Sequence, residues 1–204
     1  MNKRILLTIG LATLLASAQA SQEQLARSIE EARGETARTS EQLKATLAAL
    51  NALTTQKEGD LHPAYKTYSE EVAKTQAARD WTITRIRSME TNGATYFKTW
   101  QDQANEIANA SLRKKTLKRL NTVKSSYDKV LASLTQAGEK FKPFLSDLSD
   151  IQKALATDVT AGGVKAIKST VKSANWNYRY VDKSITSALK EMEKMAKSLS
   201  TKAR

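Results

Sequence analysis

The residues of this chain that could do chemistry are few and poorly placed for it. The sequence holds one histidine, His62, and no cysteine among its 204 residues. One imidazole cannot supply the two or more that most transition-metal sites use, and without thiols the chain has no disulfide, thiolate zinc or cysteine nucleophile. His62 precedes Pro63 in a turn-like segment, where we expect a solvated capping role. We therefore expect no metal site and no cofactor.

Carboxylates and glycines do not form a recognisable site either. Carboxylates pair at Glu30-Glu31, at Glu70-Glu71 and at Glu191 with Glu193, on helix faces that we expect to be exposed. Di-iron bundles need Glu-x-x-His on facing helices, and a chain with one histidine lacks that pattern. Ala161-Gly162-Gly163 has the composition of a turn, not of a phosphate-binding loop. We expect no catalytic residues and predict that the protein is not an enzyme.

Helical periodicity is the strongest pattern in the chain. Two runs of eleven apolar residues follow 3-4 spacing without interruption. A repeat averaging 3.5 residues keeps one helix face against a partner when the helices supercoil left-handedly. The pattern therefore predicts an all-α fold, an elongated antiparallel bundle or coiled coil of about four long helices. The runs are Leu120, Val123, Tyr127, Val130, Leu134, Ala137, Phe141, Phe144, Leu148, Ile151 and Leu155, and Val164, Ile167, Val171, Ala174, Tyr178, Val181, Ile185, Ala188, Met192, Met195 and Leu199.

The first half of the chain carries the same spacing with polar interruptions. Apolar residues and threonines recur at 3-4 spacing from Leu25 to Leu53, and the same spacing continues from Tyr65 to Ile107 with further breaks at Arg79, Gly93 and Gln103. We expect four helices, near residues 22–57, 63–107, 111–157 and 163–201.

Turn residues mark the ends of these helices. Glu58-Gly59-Asp60 is predicted to end the first helix, and Pro63 suits the first turn of the second. Asn109 or Ser111 is predicted to cap the third helix. Ala161-Gly162-Gly163 is predicted to separate the third helix from the fourth.

Pro143 lies inside the third predicted helix. Proline removes the backbone hydrogen bond to the carbonyl of Glu139 and costs up to ~3 kcal/mol in a helix interior. The 3-4 spacing nevertheless keeps its phase from Phe141 to Phe144 and Leu148. We therefore predict one continuous helix, kinked near residues 139–143, within a single elongated domain that spans residues 21–204.

The N-terminus has the layout of a secretory signal peptide. A basic segment that includes Lys3 and Arg4 precedes an apolar stretch over residues 5–17, and Ala18-Gln19-Ala20 matches an A-x-A cleavage site. The apolar stretch is too short to span a bilayer. We predict a signal peptide over residues 1–20, cleavage near Ala20, and a periplasmic or secreted protein.

Positive charge is concentrated in the second half of the chain. Residues 109–204 carry a net charge of +12, whereas residues 21–108 carry −2. This imbalance leaves two interpretations open: a solvated helix exterior, or a surface that binds anions. The candidate residues for an anion or partner surface are Arg113, Lys114, Lys115, Lys118, Arg119, Lys165, Lys168, Lys172, Trp176 and Arg179.

Trp176 lies between Lys172 and Arg179 on one helix face, with Tyr180 one turn further on. The indole could stack on a sugar or base, or insert at a lipid interface. We favour a third role, packing against another helix, because tryptophan is highly buried on average.

Several stretches resemble a bacterial family catalogued as domain of unknown function (DUF) family 2959. Trp100 precedes the run from Ile107 to Arg113, and Phe141-Lys142-Pro143-Phe144-Leu145 precedes Leu148 and Ile151. Val164, Ala166 and Ile167 open the last predicted helix. The resemblance extends from about Tyr65 to Leu199. It implies an exported, wholly helical protein and implies no activity.

Three functional hypotheses follow from the sequence. The first is a structural or interaction protein of the bacterial envelope that presents long helical surfaces. The second is a polyanion or membrane-surface binder that uses residues 109–204. The third, an enzyme, has no support in the sequence. An envelope protein, an anionic polymer, lipid headgroups or a second copy of the chain fit as partners; we do not expect nucleic acid.

Overall fold

The computed structural model describes residues 3–56 and 58–200, with side chains described for residue 17 and from residue 19 onward. These residues form five α-helices and no strand, which confirms the predicted all-α bundle. The helices are α1 (Lys3–Thr55), α2 (His62–Asn105), α3 (Ala110–Thr157), α4 (Ala161–Ala166) and α5 (Lys168–Leu199).

The helix ends agree with the sequence pattern at two turns. Gly59 adopts a φ of 89°, in the left-handed region that favours glycine, after α1 has ended at Thr55. The Asn109 carboxamide oxygen accepts the Leu112 amide at 3.0 Å, so of the two predicted caps of α3 Asn109 takes this role.

The predicted break at Ala161-Gly162-Gly163 is wrong, because these residues begin α4. The chain turns earlier, over residues 158–160, and the Thr160 hydroxyl accepts the Gly163 amide at 3.3 Å. Gly163 is buried, and a Cβ there would overlap the Asp158 carbonyl, so close backbone packing explains this glycine. Ile167 then separates α4 from α5, where one helix was expected.

The start of α1 also differs from expectation. Helix one was predicted from residue 22, whereas α1 begins at Lys3. The predicted signal peptide, residues 1–20, lies largely outside the residues whose side chains are described.

The chain divides into two compact units. The first unit comprises Met1–Arg33, Thr84–Leu131 and Glu191–Arg204, and the second comprises Gly34–Ile83 and Ala132–Lys190. Each long helix contributes one segment to each unit. The assignment of residues 21–204 to one elongated domain stays a prediction.

The first unit joins its helix segments through hydrogen bonds and aromatic rings. The Tyr127 hydroxyl of α3 donates to the Met89 carbonyl of α2 at 2.9 Å, and its ring lies 5.3 Å from that of Phe97. Burial raises the pKa of Tyr127, so the phenol stays protonated and keeps donating. The Gln22 carboxamide of α1 donates to the Leu199 carbonyl of α5 at 2.8 Å.

The second unit contains a polar contact between α1 and α2 inside an otherwise apolar core. Thr46 and Thr75 are fully buried, and their hydroxyl oxygens lie 2.7 Å apart. Thr39 and Thr82 repeat the contact at 2.9 Å. Each pair satisfies groups that would otherwise cost free energy in an apolar core. Hydroxyl pairing therefore explains why threonine occupies core positions of α1.

Tyrosine hydroxyls connect α2 to α3 in the second unit. Tyr68 is fully buried and donates to the Leu148 carbonyl at 2.7 Å, and Tyr65 donates to the Gln152 carbonyl at 3.1 Å. Tyr65 precedes Tyr68 on α2, whereas its partner Gln152 follows Leu148 on α3. The two segments are therefore antiparallel, as the short α2–α3 connection requires.

The predicted core positions are buried. All eleven on α3 are buried, and the eleven of the last run, on α4, α5 and Ile167, are buried or half-buried. α3 is continuous through Pro143, as predicted. Pro143 and Glu139 are both exposed, so water can bond the carbonyl oxygen that Pro143 leaves unpaired. The kink near residues 139–143 stays a prediction.

Gly93 gives a direct test of packing in the first unit. It is buried, and a Cβ at this position would overlap the hydroxyl and ring of Tyr127. We expect Gly93→Ala to lower the free energy of unfolding by about 1–3 kcal/mol, the usual cost of overpacking. Urea unfolding followed by circular dichroism measures the change.

Gly138→Ala on α3 is the matched control. A Cβ there meets no atom within 4 Å, so alanine's helix propensity should raise stability by about 0.5–1 kcal/mol. Combining Gly93→Ala with Tyr127→Leu should cost less than the sum of the single changes, because the clash is removed. Similar effects of the two glycine substitutions would contradict this account of Gly93.

Candidate anion-binding surface

The ten predicted surface residues fall in both units. Arg113, Lys114, Lys115, Lys118 and Arg119 lie on α3 in the first unit. Lys165 lies on α4, and Lys168, Lys172, Trp176 and Arg179 lie on α5, all in the second unit. Each group is described within its own unit.

In the first unit the group on α3 faces solvent, with one exception. Lys114, Lys115, Lys118 and Arg119 are exposed, whereas Arg113 is half-buried. The Arg113 guanidinium donates to the Ile107 carbonyl at 3.0 Å, so it caps the α2–α3 turn. Arg113 therefore has a structural role that the charge pattern does not show.

A stripe along α3 extends this group toward the middle of the helix. Lys114, Lys118 and Lys129 line one open face together with Asn121 and Ser125. Sequence reasoning did not single out Lys129, which lies eleven residues beyond Lys118. Helical spacing is the signal that could have found it, because residues 118 and 129 are close to three turns apart.

The cations of the candidate surface are not neutralised by carboxylates. In the part of the chain that the structure describes, none of the nine predicted basic residues forms an ion pair, although other lysines nearby do. Lys124, for example, lies 2.9 Å from Asp128, and Lys142 lies 2.7 Å from Glu139. In each unit these cations therefore lack a carboxylate that would neutralise them, and clustered cations of this kind attract anions in general.

Trp176 does not pack against a third helix, and the interpretation that we favoured from the sequence is wrong. Its side chain is 57% exposed. Ala174 is buried and Tyr178 half-buried, each two residues away. Two residues correspond to about 200° of rotation around a helix, so Trp176 faces away from the core.

The exposed indole belongs to a group of four side chains, which we call the aromatic cluster: Trp176, Arg179, Tyr180 and Lys140. The Trp176 and Tyr180 ring centroids are 5.5 Å apart in an edge-to-face arrangement. The Arg179 guanidinium carbon lies 5.8 Å from the Trp176 centroid, and the Lys140 Nζ lies 5.9 Å from the Tyr180 centroid. Both distances fit cation–π contacts.

Lys140 is the member of the cluster that sequence reasoning missed. It lies on α3, forty residues before Tyr180, and only the antiparallel packing of α3 against α5 brings the two together. Asp147 shows the same pairing, because its carboxylate accepts hydrogen bonds from Ser173 at 2.8 Å and Asn177 at 2.7 Å. No local pattern in the sequence signals a contact of this kind.

His62 takes part in a local contact at the start of α2. Its Nδ1 lies 2.7 Å from an Asp60 carboxylate oxygen, which also accepts the His62 amide at 3.0 Å. This amide, followed by the imidazole, holds the pKa of Asp60 below its usual value. Asp60 therefore caps α2, where the capping role had been predicted for His62. Thr160 lines a small cavity together with Asp60 and His62, but its hydroxyl donates to Asp158 at 2.6 Å.

The described residues hold no group of three His, Cys, Asp or Glu side chains positioned for a metal ion. None of their helices has the length and apolar character needed to cross a bilayer.

The exposure of Trp176 predicts how stability responds to its removal. We expect Trp176→Ala to change the free energy of unfolding by no more than about 0.5 kcal/mol, as for other exposed positions. Phe144 is fully buried in the same unit, and Phe144→Ala should cost about 3–5 kcal/mol. Chemical denaturation of both variants compares the two. A large loss with Trp176→Ala would show that the indole packs in a helix interface.

Comparison with known proteins gives a family without an assigned activity. No curated protein matches the chain. A family model matches residues 17–199, so the similarity extends well before Tyr65, where the sequence resemblance was placed. The match covers nearly the whole chain, which therefore belongs to the family described as "Protein of unknown function (DUF2959)".

Proposed function

We propose that the protein is a non-enzymatic interaction protein of the bacterial envelope, which presents helical surfaces to an anionic partner. The observation that carries this proposal is the group of basic residues in the second half of the chain that lack carboxylate partners. Apart from Arg113, which caps the α2–α3 turn, these cations have no carboxylate partner to stabilise them, and like charges on neighbouring turns repel one another. An anionic polymer or lipid surface of the envelope would neutralise them.

Residues directly after the predicted cleavage site belong to the fold, which supports export. Ser21 and Leu25 are buried in the first unit. Gln22 donates to the Leu199 carbonyl of α5 at 2.8 Å. Cleavage near Ala20 would leave these contacts in the mature protein, which we place in the periplasm or outside the cell.

The surroundings of His62 support a role without catalysis. A general base must lie within hydrogen-bond reach of the proton that it abstracts. The nearby Thr160 hydroxyl already donates to Asp158, and its oxygen caps α4. Asp60 in turn caps α2. The polar groups around this histidine therefore complete helix ends.

Co-purification from isolated envelopes tests the proposed partner class. We expect envelope components to be retained at 50 mM salt and lost at 500 mM, because salt screens contacts between exposed charges. Reversing Lys114, Lys115 and Lys118 to Glu should weaken retention by about 100-fold, at about 1 kcal/mol for each cation near an anionic surface. Circular dichroism should show unchanged helicity, because all three side chains are exposed.

The matched control reverses three other exposed cations. Arg27, Lys66 and Arg87 lie on α1 and α2 and form no ion pair within the described residues. Changing them to Glu alters the net charge equally and should leave retention within a few-fold of wild type. Equal losses of retention in both triple variants would mean that net charge, and not the group of cations on α3, determines retention. Envelope components that are retained at 500 mM salt, or that are not retained at 50 mM salt, would contradict the proposal of an anionic partner.

N-terminal sequencing of the protein isolated from cells tests export separately. We expect the mature chain to begin at Ser21 or within a few residues of it, as the A-x-A site implies. Replacing Ala18 and Ala20 with bulky residues should leave the uncleaved precursor. A wild-type protein that keeps Met1 and stays in the cytoplasm would contradict the envelope proposal.

A further inference from the structure

We infer that the aromatic cluster of the second unit docks on an anionic lipid bilayer, with the Trp176 indole entering the headgroup region. The inference rests on the proposed function and names the surface and the lipid chemistry that it recognises. It adds Lys140 and Tyr180 to the residues that the sequence suggested.

The shape of the site favours a flat ligand. Trp176 and Tyr180 are 57% and 43% exposed, on the side of α5 that faces away from the core. Small-molecule and sugar sites are usually concave, so that several walls contact the ligand. Rings on the convex side of a helix instead meet a flat surface, and a bilayer supplies one.

The chemistry of the two rings suits a membrane–water interface. Tryptophan and tyrosine are enriched where membranes meet water, because each combines an apolar body with a polar group. The edge-to-face contact at 5.5 Å joins the two rings into one exposed aromatic patch. A single exposed apolar residue is common on protein surfaces, whereas a continuous exposed patch of this kind indicates an interaction site.

Positive charge surrounds the two rings. Lys172 and Lys183 lie four residues before and seven residues after Trp176, on the same face of α5. With Arg179 and Lys140 they place four cations beside the rings, along about 17 Å of helix at 1.5 Å per residue. Long basic side chains can reach lipid phosphates while the rings lie deeper.

Few acidic side chains lie near this charge. Residues 159–181 contain no Asp or Glu, and Asp182 is the single acidic residue between Lys172 and Lys183. Glu139, next to Lys140, pairs with Lys142, and Asp147 on α3 is engaged by Ser173 and Asn177. The combination of exposed rings with an excess of cations favours anionic over zwitterionic lipid, and favours lipid over an acidic protein groove.

Single-tryptophan variants test the inference with a control inside the same unit. Trp81 is 61% exposed on α2, beside Arg79 and Asp80, which pair at 3.0 Å. Trp81→Phe/Trp100→Phe leaves only Trp176, and Trp100→Phe/Trp176→Phe leaves only Trp81. Both variants share the change at Trp100, so a difference between them reports the position of the remaining indole.

The probe is vesicles of phosphatidylcholine with 30% phosphatidylglycerol, with and without brominated acyl chains. We expect the emission of Trp176 to shift to shorter wavelength and to be quenched by bromine, whereas Trp81 emission stays unchanged. Pure phosphatidylcholine vesicles should give neither change. Vesicle binding with no quenching of Trp176, or with equal quenching of Trp81, would overturn the inference.

Affinity measurements give a second readout. Lys172→Gln and Arg179→Gln should each weaken binding to the anionic vesicles about fivefold, the effect of one cation near the surface. Trp176→Ala/Tyr180→Ala should weaken it further, and Trp81→Ala should not. If these changes leave vesicle affinity as it is, the aromatic cluster is not the docking surface.

The outcomes separate this inference from the proposed function. Salt-sensitive retention in envelopes without binding to vesicles would mean that the partner is a glycan or a protein; the proposed function would stand and the lipid inference would fail. Failure of both retention and vesicle binding would overturn both proposals.

Discussion

Burial of the 3-4 core positions is the constraint on which the rest of the structure depends. α3 buries all eleven of its core positions, from Leu120 to Leu155, and contributes to both units. A helix of this length is stable in water mainly because its apolar face is covered. Loss of phase at any point would turn the following core residues toward solvent. This constraint explains why a proline is tolerated at position 143 only with the phase kept and the ring on the exposed side.

Polar residues inside the core add a second level of specificity. An apolar stripe alone allows neighbouring helices to slip by one heptad at modest cost, because the repeats resemble each other. Thr46 opposite Thr75 and Thr39 opposite Thr82 oppose such slippage, because a shifted register would not keep both of these hydroxyl contacts between α1 and α2. Tyr68 acts similarly between α2 and α3, where its hydroxyl needs the Leu148 carbonyl. Buried hydrogen bonds therefore fix the register that apolar packing leaves open.

Sequence periodicity predicted the fold well because helix packing repeats a local rule. The all-α bundle, the continuity of α3 through Pro143 and the capping by Asn109 all follow from residues close together in the chain. The break at Ala161-Gly162-Gly163 was misplaced, because glycine can also begin a helix where the backbone approaches closely, as Gly163 does beside Asp158.

The candidate site could be predicted only in part from the sequence. Charge and spacing identified Lys172, Trp176 and Arg179, but Lys140 depends on the pairing of distant segments.

The two faces of α5 are under different physical demands. Its inner face is set by packing, since Ala174, Val181 and Ile185 must fill the second unit's core. Its outer face could carry any polar or charged residue without loss of stability, because exposed positions contribute little to folding. An exposed tryptophan next to unpaired cations is therefore not explained by the fold. Such a residue exposes apolar surface to water at a cost, and the surrounding cations repel one another. A ligand that covers the ring and neutralises the charge would remove both costs at once, as the anionic bilayer surface that we infer would.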